Sequence, residues 1–443
     1  MIGAPEHAAR LRTKAQPLVE GRVERVGPSE ADIAGLPVGL GDVVDIGTTD
    51  PVRAEVVAVE GARATVLTFG DLRGRRVGEP VRFSEAPGGV PSGPRLLGRV
   101  LDGLGRPIDG GPALDDCPRA PLHGPPPSAL ARPRITAPLA VGVRAVDTLL
   151  TCGRGQRIAI LAGSGVGKSS LLSMLIRGSD AGVNVLCLVG ERGREVREFL
   201  DVDLGPEGLA RSVVIVATSD QPALIRRNAA YVATAIAEQF RAEGRHVNLL
   251  MDSVTRFAFA QRDIGLAAGE IPTSRGFPPS ALGSLPSLLE RAGTAEDGPG
   301  SITGFYTVLV EGDDVNDPVG DTVRSIVDGH IVLSRDLANA GHFPSIDVLA
   351  SASRVAPSVT TPEQQALAAD ARRMLARYER TRDLIEVGAY VPGQDVEIDR
   401  SVRLAPALEV FRRQPINEAC PAPEAWRRLA AVLAPDEPEG TAP

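Results

Sequence analysis

Ala162-Gly163-Ser164-Gly165-Val166-Gly167-Lys168-Ser169-Ser170 follows the apolar run from Gln156 to Leu161 and precedes Leu171-Leu172-Ser173-Met174-Leu175-Ile176. This order predicts a strand, a phosphate-binding loop and a helix. Glycines at 163, 165 and 167 lack a Cβ, so the backbone N–H groups around Ser164 and Val166 can curl about a phosphate. The following helix adds its positive N-terminal end. Lys168 is placed to reach the β- and γ-phosphates, Ser169 offers a hydroxyl to Mg²⁺, and Ser170 begins the helix proper. Ala162 stands where the signature usually has its first glycine, a position that turns the chain without touching phosphate. The alternative is a Gly-rich turn that merely contains a lysine, and the flanking strand and helix patterns argue against it. The loop implies a nucleoside triphosphate ligand.

Working outward, residues 156–161, 183–189, 212–217, 247–251, 302–310 and 330–333 read as apolar strands alternating with helical stretches. One of these helices has Val232, Ile236 and Phe240 recurring along a single face. An α/β domain with a mostly parallel sheet is expected, its ligand at the carboxyl ends of the strands. Upstream, Val43–Ile46, Ala54–Val59 and Ala64–Leu67 alternate in short runs, the last two joined at Glu60-Gly61-Ala62, which predicts a small β-barrel. Prolines at 112, 118, 121, 125, 126, 127 and 133 make residues 110–135 an extended surface connection. Polar helical stretches such as Glu363–Leu384 then take over, broken at Gly388 and Pro392-Gly393. The expected organisation is an N-terminal segment over 1–20, a barrel over 21–95, a nucleotide-binding domain over 96–360 and a helical domain over 361–443. Residues 1–20 fit a weak amphipathic helix or a frayed tail, and Pro435 to Pro443 a loose one.

With 443 residues, 43% of them hydrophobic, the chain can build two or three real cores. A formal net charge of −8 gives no general reason to bind nucleic acid or an anionic membrane. The four cysteines, at 117, 152, 187 and 420, show no metal-ligand spacing, and a reduced, cytoplasmic setting is expected. No leader pattern and no apolar run near 18 residues is present, so membrane association is expected only through partners.

Hydrolysis needs a group that holds the metal and a carboxylate that works on water. Val247-Asn248-Leu249-Leu250-Met251-Asp252 is an apolar strand ending in an acid, the form expected of the Mg²⁺-holding group, although such an Asp also caps turns. The strand Val183–Val189 runs into Gly190-Glu191-Arg192-Gly193-Arg194-Glu195. There Glu191 could polarise the attacking water and Arg192 steady the γ-phosphate, or the charged run could be a solvated loop.

GSGVGKSS, GERGREVREF, LLMDSVTRFAFAQRDIGLAAGE, RGFPPS, GSITGFYTVLVEGDD, DGHIVLSR and HFPSIDVLASASRV, with LLGRVLDGLGRPIDG at 96–110, together resemble the ATPases of bacterial type III protein export, the flagellar branch most closely. These are relatives of the catalytic subunits of F-type and V-type rotary ATPases. The resemblance spans roughly residues 20 to 420. It implies Mg²⁺-dependent ATP hydrolysis with Lys168 and Ser169 on phosphate and metal, Glu191 as catalytic carboxylate, Arg192 on the γ-phosphate and Asp252 closing the metal site. It further implies that Arg256 approaches phosphate, unless it forms a helix-surface salt bridge. Arg354 would be the arginine finger lent to a neighbouring subunit. Phe343 would lie against adenine, unless it is a core phenylalanine, with a second wall from near Phe411 to Ile416.

Also implied are a homohexameric ring, a stalk-like regulator at the N-terminus, a central-stalk coiled coil near 380–402, and an export gate with chaperones and export substrates. The place of work would be the cytosolic face of an inner-membrane export apparatus. Competing readings are a virulence-type secretion ATPase, which shares every catalytic motif, and a rotary F/V-type catalytic subunit. A hexameric RNA translocase is opposed by the acidic charge and by a barrel with only Phe69 and Phe83 for base stacking. A non-hydrolysing subunit would be expected to lack the carboxylate at 191.

Overall fold

The computed structural model describes residues 19–85, 88–310 and 317–434. The expected regulator-binding segment at 1–20, except its last two residues, the tail from Pro435, and the EGDD end of the motif at 300–314 lie outside the described residues. The chain divides into two units: one holds the N-terminal barrel with residues 222–224 and 262–272, the other holds the rest.

Six strands build the barrel: β1 (Gly21–Val26), β2 (Glu30–Ala34), β3 (Val43–Ile46), β4 (Val52–Glu60), β5 (Arg63–Thr68) and β6 (Pro80–Phe83). They close in the order β1-β2-β5-β4-β3-β6, which leaves no free edge. Inward positions alternate along the strands, as at Ala31 and Ile33 on β2, Val44 and Ile46 on β3, and Ala64 and Val66 on β5, and these form the barrel's own core. The expected hairpin is β4–β5, where Gly61 takes φ +61°.

The second unit centres on a nine-stranded sheet. Its members are β7 (Val100–Asp102), β8 (Arg157–Ala162), β9 (Val183–Glu191), β10 (Ser212–Thr218), β11 (His246–Asp252), β12 (Ser301–Leu309), β13 (Gly329–Leu333) and β14 (Ile346–Ser353), with the short strand Gly293–Thr294 on β12. The order β14-β13-β8-β12-β11-β9-β10-β7 is parallel throughout except for the edge strand β14. Parallel strands covered on both faces read as unbroken apolar runs, and Val183–Gly190 is buried at every position. The helix α1 (Arg144–Leu149) precedes the sheet's first motif, α2 (Lys168–Gly178) follows the glycine loop, and α3 (Ala223–Ala242) and α4 (Val254–Ala267) follow β10 and β11.

Three helices close the chain: α5 (Pro362–Glu386), α6 (Val396–Arg412) and α7 (Ala422–Leu433). Thr361 and Gln364 cap α5 reciprocally, and the Asp395 carboxylate accepts the N–H groups of Glu397 and Ile398 at the start of α6. Met374, Leu404, Leu408, Phe411 and Leu429 join the core that also contains Ile158, Ile160 and Leu186 of the sheet. Among the described residues no helix is long and apolar enough to cross a membrane.

Candidate nucleotide site

The loop 163–167 leaves β8 at its carboxyl end and turns into α2, with Gly165 at φ +76° and Gly167 at φ +89°. A side chain is strained at either angle. Ser345 Oγ donates to the Val166 carbonyl at 2.5 Å and Arg335 to that of Ser164 at 3.3 Å. Because a trans peptide points its N–H opposite its carbonyl, anchoring these two oxygens aims the N–H groups of Gly165 and Gly167 the other way, into the cradle.

Two adjacent strands, β9 and β11, deliver carboxylates to the same end of the sheet, and β12 beside them delivers a hydroxyl. Lys168 Nζ lies 3.4 Å from Glu191 Oε1 at the end of β9 and makes a closer ion pair with Asp252 Oδ1 at the end of β11. Thr307 on β12 donates its hydroxyl to that same Asp252 oxygen at 2.7 Å. Burial works against the Lys168 charge, but Asp252 and Glu191 outweigh it and raise its pKa. Burial, helped by Asp252, also raises the pKa of Glu191 against the opposing pull of Lys168.

Two cavities flank the cradle. One of 240 Å³ is lined by Ser169, Glu191, Glu195, Glu198, Asp203 and Asp252. The other, of 470 Å³, is bounded by Gly167, Ser170, Met174, Phe343, Pro344 and the segment from Arg413 to Ile416. Phe343 is 45% exposed, so it is no core residue, and its ring edge lies 3.3 Å from where a Cβ on Gly167 would sit. The second wall begins at Arg413. Phe411, at one end of the expected stretch, is buried in the helical core instead. Gln414 fixes this wall: its N–H donates to the Phe343 carbonyl at 2.9 Å and its amide bridges Gly142 and Arg144.

The remaining expected residues are dispersed. Arg192 is 82% exposed at its side chain and pairs with Glu195. Arg256, in the first turn of α4, packs against Gly190 beside Glu191. Arg354 is exposed just past β14, its N–H donating to the Asp328 carbonyl at 2.9 Å. Asp328 pairs with Arg157 at the start of β8. From there to the glycine loop is the length of β8, roughly 20 Å at about 3.3 Å per residue, so Arg354 stands at the end of the sheet opposite its own chain's cradle.

Thr307, Ser345, Arg335 and Gln414 were not singled out by sequence reasoning. Thr307 carried a faint signal, as a hydroxyl within an apolar strand aligned with Asp252.

Among the described residues no group of three or more His, Cys, Asp and Glu side chains could hold a metal ion alone. One hydroxyl at Ser169 and one carboxylate at Asp252 fit Mg²⁺ carried by a polyphosphate, since that ion keeps its waters and needs few protein ligands.

Residues 142–353 match the ATP synthase alpha/beta family nucleotide-binding domain, and residues 360–431 match the T3SS EscN ATPase C-terminal domain. A flagellum-specific ATP synthase of Pseudomonas aeruginosa is 47% identical over 95% of this chain and 94% of its own. The SPI-2 type 3 secretion system ATPase of Salmonella typhimurium is 51% identical over 83% of this chain and 84% of its own. The assembled ATPase EscN of the enteropathogenic E. coli type III secretion system superposes with a TM-score of 0.88 at 44% identity, over 94% of this chain and all of that one. EscN in complex with its central stalk EscO gives 0.87 at 43%, with the same coverage.

Proposed function

The chain belongs to the family of flagellar and type III secretion ATPases and is an ATP-hydrolysing enzyme, and we propose that it works as a ring in which each site is completed by Arg354 of the adjacent copy. The observation that carries this reading is the separation of Lys168 from Arg354 along β8. A guanidinium on that far edge is useless to its own cradle and available to a neighbour's, which makes the contact heterologous, the kind from which rings are built. Six copies is the number the family resemblance implies.

Lys168 is held by Asp252 and Glu191. An arriving triphosphate competes for the ammonium and frees both carboxylates. Ser169 and Asp252 would hold Mg²⁺, which would supply positive charge against the negative charge that develops on phosphate. Glu191 then orients the attacking water and accepts its proton, with Arg256 alongside. Arg192 reaches phosphate by swinging from Glu195. Adenine occupies the cavity between Phe343 and residues 413–416, where a flat ring buries apolar surface on both faces.

We assign the chain to protein export, the flagellar branch first, because a flagellar relative aligns over nearly the whole chain. The virulence branch is the second reading, supported by the higher identity over a shorter span. The end of α5, the turn after it and the start of α6 expose Leu384, Val387, Val391 and Val396, an apolar tip suited to a central-stalk coiled coil. An N-terminal regulator, export gate, chaperones and substrates at the cytosolic membrane face complete the assignment. Three measurements test it. Turnover per chain should rise steeply with concentration, and Arg354→Ala should bind ATP yet lose on the order of 10³ in rate. Turnover proportional to enzyme across the assembly range would remove the shared site. Restored swimming of a deletion strain by this chain would select the flagellar branch.

A further inference from the structure

Resting on that reading of Arg354, we propose that Gln156, Arg157 and Asp328 are positioning residues that hold the lent arginine at the angle its neighbour requires. Arg354 leaves β14 on an exposed edge, where an unsupported backbone would let a long side chain sweep a wide arc. Three sets of bonds fix that backbone. The Arg354 N–H is held by the Asp328 carbonyl at 2.9 Å. The Asp328 carboxylate is gripped by Arg157 through its backbone N–H at 3.0 Å, Nε at 3.2 Å and a terminal guanidinium nitrogen at 3.2 Å. The Asp328 N–H returns a bond to the Arg157 carbonyl at 2.9 Å.

Gln156 supplies the third set. It is 0% exposed, and its Nε2 spans the Asp328 carbonyl at 3.3 Å and Ser353 Oγ at 3.1 Å, the residue immediately before Arg354. Its Oε1 accepts the Gly153 N–H at 2.9 Å, and Ser353 Oγ passes its own hydrogen to the Thr151 carbonyl at 2.8 Å. Burying an amide is costly unless both ends are bonded. Here both are, and one of them acts on the two residues that fix the arginine's backbone. The cluster touches no part of the glycine loop. Its effect on hydrolysis is therefore expected in the neighbouring site.

Complementation between inactive chains tests this. Asp328→Asn puts an amide where Arg157 presents donors, and should lower ATPase at least tenfold while leaving binding of a fluorescent ATP analogue unchanged. Lys168→Ala has no working cradle but a sound arginine. Mixed one to one as dilute chains and then assembled, about a quarter of the interfaces pair an intact cradle with an intact arginine, and activity should recover to that share. Arg354→Ala mixed with Lys168→Ala runs beside it. If that control recovers and the Asp328→Asn mixture does not, the cluster serves its own chain's fold or cradle and the positioning role is overturned. If neither mixture recovers, the shared site itself is wrong, and this inference falls with it. Should Asp328→Asn not fold, Ser353→Ala replaces it, with a threefold or larger loss and the same recovery expected.

Discussion

Gly190 sits between the last apolar residue of β9 and Glu191, at φ +70°. A methyl group added there would lie 2.9 Å from Arg256 Cγ, 3.0 Å from its Cβ and 3.1 Å from its Cδ. The Cγ and Cδ contacts can be relieved by rotating the arginine, but the Cβ is fixed to α4, so Gly190→Ala must also part strand from helix. The left-handed angle costs an alanine about 1–2 kcal/mol and overpacking about 1–3 kcal/mol, a sum of about 2–5 kcal/mol. Against a typical stability of about 5–15 kcal/mol the protein stays folded, yet Arg256 and Glu191 are both displaced. A shift near 1 Å at reacting groups costs about 10²-fold in rate. The assay is a double-mutant cycle in denaturant midpoint and turnover with Gly190→Ala, Arg256→Ala and the pair. Truncating Arg256 removes two of the three clashing atoms, so the paired stability loss should be smaller than the sum of the single losses by about 1 kcal/mol or more. Additive losses, or full turnover in Gly190→Ala, would refute the packing argument.

Glu191→Gln keeps the shape of the side chain but cannot accept a proton, so ATP binding by calorimetry should be retained while turnover falls below detection; measurable turnover would remove Glu191 from water activation. Phe343→Ala strips one face of the 470 Å³ cavity, and should weaken ATP and ADP binding about tenfold while leaving inorganic polyphosphate inhibition unchanged. Asp147 is 2% exposed, and burial raises its pKa to about 7 although the Val141 and Gly142 N–H groups oppose it. As pH rises from about 4 to 7 the unfolded chain ionises this group while the folded chain keeps its proton, so the contribution to stability falls across that window by up to about 4 kcal/mol. Asp147→Asn should flatten the decline in melting temperature over the same range, and an unchanged slope would show that the carboxylate is ionised in the fold.

The central sheet was legible because parallel strands covered on both faces are written as continuous apolar runs, and all six such runs are strands. Strands at the margins follow other rules. Val100–Asp102 is too short to show a pattern, and Ile346–Ser353 carries exposed residues on an antiparallel edge. In the barrel, Gly21-Arg-Val-Glu-Arg-Val hides its alternation under outward charges that pair across strands, as Arg25 does with Asp32. Chain order revealed the cradle, Asp252 and Glu191, since each ends a strand of one parallel sheet and must emerge on one side. A polar residue in or beside an apolar strand, as Thr307 and Gln156 are, declares its partner only when the neighbouring strand's register is known.

The charge of the site gives a physical reason for the proposed link between assembly and hydrolysis. Two carboxylates face one lysine, and a triphosphate brings more negative charge than Lys168 and one divalent ion neutralise. Arg256 is already packed in place, whereas Arg192 is drawn onto Glu195. An isolated chain is thus short of positive charge where the γ-phosphate leaves, and it cannot supply the deficit from within, because its own Arg354 is about the length of β8 away. Glu191 feels the same deficit: the more negative its surroundings, the higher its pKa and the less ready it is to be ionised when water must be oriented. In the proposed ring a guanidinium from the adjoining copy would correct both faults at once, stabilising the transferring phosphoryl and favouring the ionised carboxylate. Mixed rings with one arginine removed should then lose turnover only at the cradle facing that gap, and should show there an acid limb shifted to higher pH.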